Sequence, residues 1–315
     1  MNTAEYANYD GLGLAELIRT GQVSRGEVAE AARRVIDELN PRLNAVIRRT
    51  DDPAAGAGAD AAAPDADADR ETAAGAGPDA DADAAPPDAP FAEVPFLLKD
   101  SLQVKGTTMT FGSALLKDHV PESTHEVAKR IFAAGVRDLG RTNLCEFGLL
   151  PYTESMLHGP ARNPWNPDFS PGGSSGGSAV AVASGMVPLA HAADGGGSIR
   201  IPASWCGLFG LKPSRGRNPS ALWGYDRSLA VNHVLSRTVR DSAAMLDAIC
   251  GPRPGEPWLL PRPDRAYRDV ISEPPPRCRI AFTTTDFSGN PAHPECARAV
   301  EVMAQQCEQL GHAVE

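Results

Sequence analysis

The sequence predicts an α/β protein, and three observations carry the prediction. Short apolar runs of strand length, VPFLLK at 94–99 and RIAFTT at 279–284, alternate with segments of helical periodicity. At 315 residues the chain can bury a sizeable core in one large domain or two smaller ones. A glycine-rich stretch from Pro171 to Arg217 also carries Ile199, Ile201, Trp205, Leu208, Phe209 and Leu211, which a flexible linker would lack.

The elements follow in chain order. Residues 14–39 read as a helical hairpin. Leu14, Leu17 and Ile18 form one stripe that Gly21 ends, and Ser24 with Glu27 makes a capping box for a second helix bearing Val28, Ala31 and Ile36. Residues 50–90 are an Ala/Asp/Gly/Pro segment with almost no large apolar side chain, so burial cannot offset its ordering entropy and disorder is expected. Val94–Lys99 is a buried strand, and Glu126–Ala134 a helix. Ser178–Ser184 is a small-residue helix suited to close packing, and Ser242–Cys250 an amphipathic one. Arg279–Thr284 is strand-like. Pro294–Leu310 repeats apolar residues at Ala297, Val300, Met303, Cys307 and Leu310, closes at Gly311, and leads into HAVE, the start of another strand.

The formal charge of −10 is local: between Asp51 and Pro90 eleven acids face the single Arg70, so the rest of the chain sums to zero. No basic patch for nucleic acid follows. The six cysteines, Cys145, Cys206, Cys250, Cys278, Cys296 and Cys307, show no metal-ligand spacing and read as reduced thiols. MNTAEYANYDGLG lacks a basic and an apolar signal region, and no stretch approaches the roughly 20 apolar residues that span a bilayer. A soluble, cytoplasmic protein with neither a nucleic-acid nor a membrane partner is expected.

Within 171–217 two serines, Ser174 and Ser198, are wrapped in glycine. Backbone of that kind can cluster amide N–H groups around a hydroxyl, which makes both serines candidate nucleophiles. The words PGGSSGGSAVAVASG, AHAADGGGSIRIPAS and GLKPSRGR closely resemble the signature of the amidase signature family, serine hydrolases that cleave carboxamides. The resemblance runs from about Leu12 to the C-terminus and is densest between Pro95 and Leu211. The last two words look most like the branch that opens cyclic amides.

The resemblance implies an α/β/α fold around a large mixed sheet. It assigns 1–49 to N-terminal helices and 91–315 to the core, which the acidic segment 50–90 separates in this chain. It also implies a mechanism. Ser198 matches the nucleophile, and Ser174 the bridging serine, joined to Gly173 by a cis peptide bond. Lys99, in PFLLKD, matches the base. A lysine is protonated at pH 7 unless burial depresses its pKa, which the four apolar or proline residues before Lys99 favour. Backbone N–H groups of Gly195, Gly196, Gly197 and Ser198 form the expected oxyanion hole. Asp194 and Arg200 are expected to brace that loop, and Ser175 to add a hydrogen bond. No metal or organic cofactor is implied, and the partner is a small-molecule amide.

Three features depart from the family. Glu93 stands where glycine usually precedes VPF, Arg137 and Asp138 interrupt a strand that is usually apolar, and the family's C-terminal portion is missing after Glu315. Unpaired charges in a buried strand would cost several kcal/mol. The missing portion predicts an exposed sheet edge and self-association or a homodimer. Two alternatives to a working amidase therefore remain: a truncated, catalytically impaired homologue, and an amidotransferase A-type subunit.

Other motifs carry less. Gly172–Gly176 satisfies G-x-S-x-G, but a proline-interrupted loop stands where the nucleophile elbow needs a strand, and His233 is the one later histidine available to it. Trp165 and Trp205 read as packing residues, and His191 as a residue packed behind the nucleophile loop.

Overall fold

Three parallel strands end at one rim of a sheet, and that rim decides where chemistry can occur. The computed structural model describes residues 1–51, 89–219, 229–253, 255–256 and 260–315. The reading of 50–90 as disordered therefore falls almost wholly outside the described residues. Contacts divide the chain into two units, Met1–Arg268 and Asp269–Glu315.

The first unit opens with helices α1 (Thr3–Ala7), α2 (Gly11–Arg19) and α3 (Arg25–Leu43). The Ser24–Glu27 capping box at the start of α3 forms as the sequence predicts. Strands β1 (Val46–Arg49) and β2 (Pro95–Lys99), helix α4 (Glu126–Ala133) and strand β3 (Arg137–Thr142) follow. A small hairpin pairs β4 (Glu154–Ser155) with β5 (Gly159–Pro160). Then come α5 (Gly176–Ala183), β6 (Leu189–Asp194), α6 (Arg200–Cys206), β7 (Phe209–Gly210), β8 (Val231–Ser236) and α7 (Val239–Ile249), and the single turn α8 (Tyr267–Val270) straddles the division between the units.

The six strands are ordered β1-β3-β2-β6-β8-β7. The pairs β3–β2 and β2–β6 are parallel and the others antiparallel, so the sheet is mixed and flanked by helices, an α/β architecture. All five residues of β2 are buried, as expected of a central parallel strand. The core gathers Phe91, Phe96, Leu97, Leu98, Ile131, Leu189 and Met245 around it.

The charges in β3 are paired. Arg137 Nε donates to Glu93 Oε2 at 2.7 Å, and Arg141 Nη1 donates to Asp138 Oδ2 at 2.7 Å. Glu93 occupies a left-handed conformation (φ +62), where glycine is otherwise preferred. Two departures from the family pattern thus answer one another: the carboxylate placed on the turn neutralises the guanidinium placed in the strand.

The N-terminal helices are tied to α7 by reciprocal caps. Asp241 of α7 accepts from the N–H groups of Gly11 (2.8 Å) and Leu12 (2.9 Å) at the start of α2. Asp10, the N-cap of α2, accepts from Gly13 N–H, Thr238 Oγ1 and the Arg240 guanidinium. Burial works against the charge of Asp10, yet Arg240 and these donors hold its pKa below the usual carboxylate range.

In the second unit, β9 (Arg279–Ile280), α9 (Pro294–Gln309) and β10 (Ala313–Val314) form a βαβ unit whose strands pair in parallel. The strand expected over 279–284 is shorter, because β10 offers only two paired residues, although Phe282 N–H still reaches the Glu315 carbonyl at 2.9 Å. Among the described residues no helix is long and apolar enough to cross a membrane.

Candidate active site

Parallel neighbours end at the same rim, and the register that pairs Leu97 with Ala190 carries β6 two residues past the last residue of β2. The two strands end at Lys99 and Asp194. Open α/β sheets carry their sites at such carboxyl ends. Lys99 is buried, and its Nζ donates to Ser174 Oγ at 2.6 Å. Burial lowers the Lys99 pKa to about 8, while Cys145 and Asp194 pull in the opposite direction.

Ser174 is buried, and its peptide bond to Gly173 is cis. Close approach explains two neighbouring glycines. A Cβ on Gly173 would lie 2.5 Å from the Tyr152 carbonyl oxygen, and one on Gly177 would lie 2.4 Å from the Asn143 nitrogen. Thr153 fastens the loop from the other side, donating to the Gly172 carbonyl (2.9 Å) and accepting from Gly176 N–H (3.0 Å). Ser175 Oγ donates to the Ala193 carbonyl at 3.3 Å, linking the loop to β6.

The turn after β6 is organised by Asp194. Its carboxylate accepts from the N–H groups of Gly197 (2.8 Å), Ile199 (3.1 Å) and Arg200 (3.2 Å). The Arg200 guanidinium donates to both its oxygens at 2.9 Å. Burial opposes ionisation, but Arg200 and these amides win and hold the Asp194 pKa at about 2. Asp194 and Arg200 are thus bonded to each other and, through Asp194, to the backbone of the turn.

One expectation is corrected here. The Gly197 N–H is bonded to Asp194 and is not free to serve an oxyanion. Among the described residues, the N–H groups of Gly195, Gly196 and Ser198 donate to no protein acceptor, leaving three donors rather than four. Lys99 meets Ser174, but among the described residues no hydrogen bond joins Ser198 Oγ to Ser174 Oγ. Asp194 fixes the backbone on both sides of half-buried Ser198 through the N–H groups of Gly197 and Ile199.

His233 is buried against Ser242 Oγ (2.8 Å), so the G-x-S-x-G alternative lacks its histidine. Trp165 and Trp205 are 74% and 51% exposed and are not the packing residues expected, although Trp165 Nε1 donates to the Cys206 carbonyl. The six cysteines are free. Sequence reasoning passed over Thr153, Asn143 and Tyr152. Their backbone or hydroxyl groups act through contacts that no periodicity encodes.

Three buried histidines make stability depend on pH. Burial lowers the pKa of His125 to about 4 and of His191 and His233 to about 3. Between those values and the ordinary 6.5 the unfolded chain binds more protons, so stability is full above about 6.5 and falls on acidification. Each histidine contributes up to about 1.4 kcal/mol per pH unit there. Asp241, pushed up to about 6 by burial, offsets part of this. Melting followed by circular dichroism should show a steep fall in Tm from pH 7 to pH 5, and a flat profile would refute the reading.

The family model described as Amidase matches residues 27–315. The chain is 39% identical over 320 aligned positions to the 6-aminohexanoate-cyclic-dimer hydrolase of Paenarthrobacter ureafaciens, covering 97% of this chain and 58% of that protein. It is 42% identical over 232 positions to a putative amidase of a Synechocystis species, covering 73% of this chain and 45% of the relative. A solved structure of 6-aminohexanoate cyclic dimer hydrolase complexed with substrate superposes with a TM-score of 0.81 at 35% identity, over 98% of this chain and 60% of that one. The chain thus spans about three-fifths of the length of these cyclic-dimer hydrolases.

Proposed function

The chain belongs to the amidase family, and on that premise we propose that it hydrolyses a carboxamide through an acyl-enzyme. The observation that carries this reading is the 2.6 Å contact between buried Lys99 Nζ and Ser174 Oγ. A lysine with a pKa of about 8 is neutral often enough at neutral pH to accept a proton.

In the proposed sequence Ser198 Oγ attacks the carbonyl carbon while its proton passes to Ser174 Oγ. Ser174 in turn gives its own proton to neutral Lys99. The free N–H groups of Gly195, Gly196 and Ser198 are placed on one turn to receive the oxyanion. When the carbon–nitrogen bond breaks, the proton returns through Ser174 to the departing amine. Water then attacks the Ser198 ester by the same relay in reverse, releasing the acid. The unmade Ser198–Ser174 bond favours one rival, a scaffold that binds amides without turning them over.

The similarity to cyclic-dimer hydrolases makes a cyclic amide the finer proposal. Incubation with 6-aminohexanoate cyclic dimer and with hexanamide, read as release of primary amine and of ammonia respectively, should show turnover of at least one. Release from neither would leave the non-catalytic scaffold as the surviving account.

A further inference from the structure

The segment after the Cys145 backbone runs directly past the reacting groups. A Cβ placed on Gly148 would lie 3.4 Å from Ser174 Oγ, and Tyr152 packs its backbone on Gly173. Between them the chain leaves Phe147, Leu149, Leu150 and Tyr152 at least 40% exposed. Four exposed apolar residues therefore lie on the short segment whose backbone meets Gly173 and Ser174.

Phe147 is unusual among them. It adopts a left-handed conformation (φ +53, ψ 12), an outlier for a bulky residue. Its backbone is locked there from several directions. Phe147 N–H donates to the Phe111 carbonyl at 2.8 Å, and Phe111 is itself left-handed (φ +52). Ser113 Oγ donates to Glu146 Oε1 at 2.6 Å, and Gly148 N–H donates to the Cys145 carbonyl at 3.0 Å. The Phe111 end of this clasp leads back to the base, since Phe111 N–H is bonded to the carbonyl of Asp100, which follows Lys99. A glycine would satisfy the same backbone without strain, and a ring left 41% exposed adds little to the core. Backbone strain maintained by its surroundings beside reacting groups is a mark of function.

We propose that Phe147 is a specificity-determining residue whose ring receives an apolar part of the substrate. The substrate class is then amides carrying an uncharged chain or ring of several carbons. This deepens the amidase reading and rests on it. An apolar contact of this kind discriminates by added methylenes, each worth a modest factor.

The test compares hexanamide with acetamide for the parent chain, Phe147→Gly and Phe147→Leu. The Phe147→Gly loss in kcat/KM should be about tenfold greater on hexanamide than on acetamide, chiefly through KM. Phe147→Leu should retain most of the preference, and Phe147→Gly should melt no lower than the parent because left-handed strain is relieved. Equal losses on both amides, or a lower Tm with an unchanged ratio, would overturn the proposal. If the parent hydrolyses neither of these amides nor 6-aminohexanoate cyclic dimer, the amidase reading fails on its own. Saturation-transfer NMR then decides the apolar contact separately: weaker hexanamide binding by Phe147→Gly supports it, and unchanged binding overturns it.

Discussion

Ser198→Ala should reduce kcat/KM for any amide the chain hydrolyses by about 10⁴-fold or more, with no loss of stability. The side chain makes no hydrogen bond among the described residues, so removing its oxygen leaves no partner unsatisfied. Its backbone N–H, one of three free donors on the turn, remains in place. The expected remainder is the activity of an oxyanion site without a nucleophile. Steady-state kinetics paired with thermal melts would check this. Full activity in Ser198→Ala would remove the proposed nucleophile.

Lys99→Met should be nearly as severe, because the members of a proton relay fail as a unit. Its second consequence is in the pH profile. With a pKa of about 8, Lys99 is neutral in a fraction that rises tenfold per pH unit up to that value. The parent's kcat/KM should therefore climb with pH and level off above about 8, and Lys99→Met should lose that limb. Its effect on stability runs the other way. The folded pKa lies below the ordinary 10.5, so the folded state is favoured most above 10.5 and loses that advantage as pH falls toward about 8. An uncharged methionine in the buried position should raise Tm at neutral pH. A parent profile flat from pH 6 to 9, with Lys99→Met active, would exclude Lys99 as the base.

Much of this arrangement was legible in the chain. The helix periods, the Ser24–Glu27 box and the apolar run before Lys99 are local patterns, and local patterns survive folding. The order of the lysine word and the two glycine words anticipated the contact of Lys99 with Ser174 across 75 residues. Other features depend on geometry that no word encodes. Which of four consecutive amides is free depends on where Asp194 aims its oxygens, and it takes Gly197. Glu93 and Arg137 looked like separate defects because their pairing joins residues 44 apart. Phe147 gave no signal, since phenylalanine is not a residue that marks a left-handed turn. The exposure of Trp165 and Trp205 was missed for a related reason: composition implies that an aromatic is buried, and only the fold decides it.

Ser198, and not Ser174, is the serine proposed to attack the substrate. Treatment with a serine-directed alkyl fluorophosphonate, followed by proteolysis and mass spectrometry, reads that claim directly. One adduct is expected, on Ser198, formed faster as pH rises toward about 8 and slowed in Lys99→Met. An adduct on Ser174, or amide hydrolysis that continues with Ser198 fully modified, would contradict that claim.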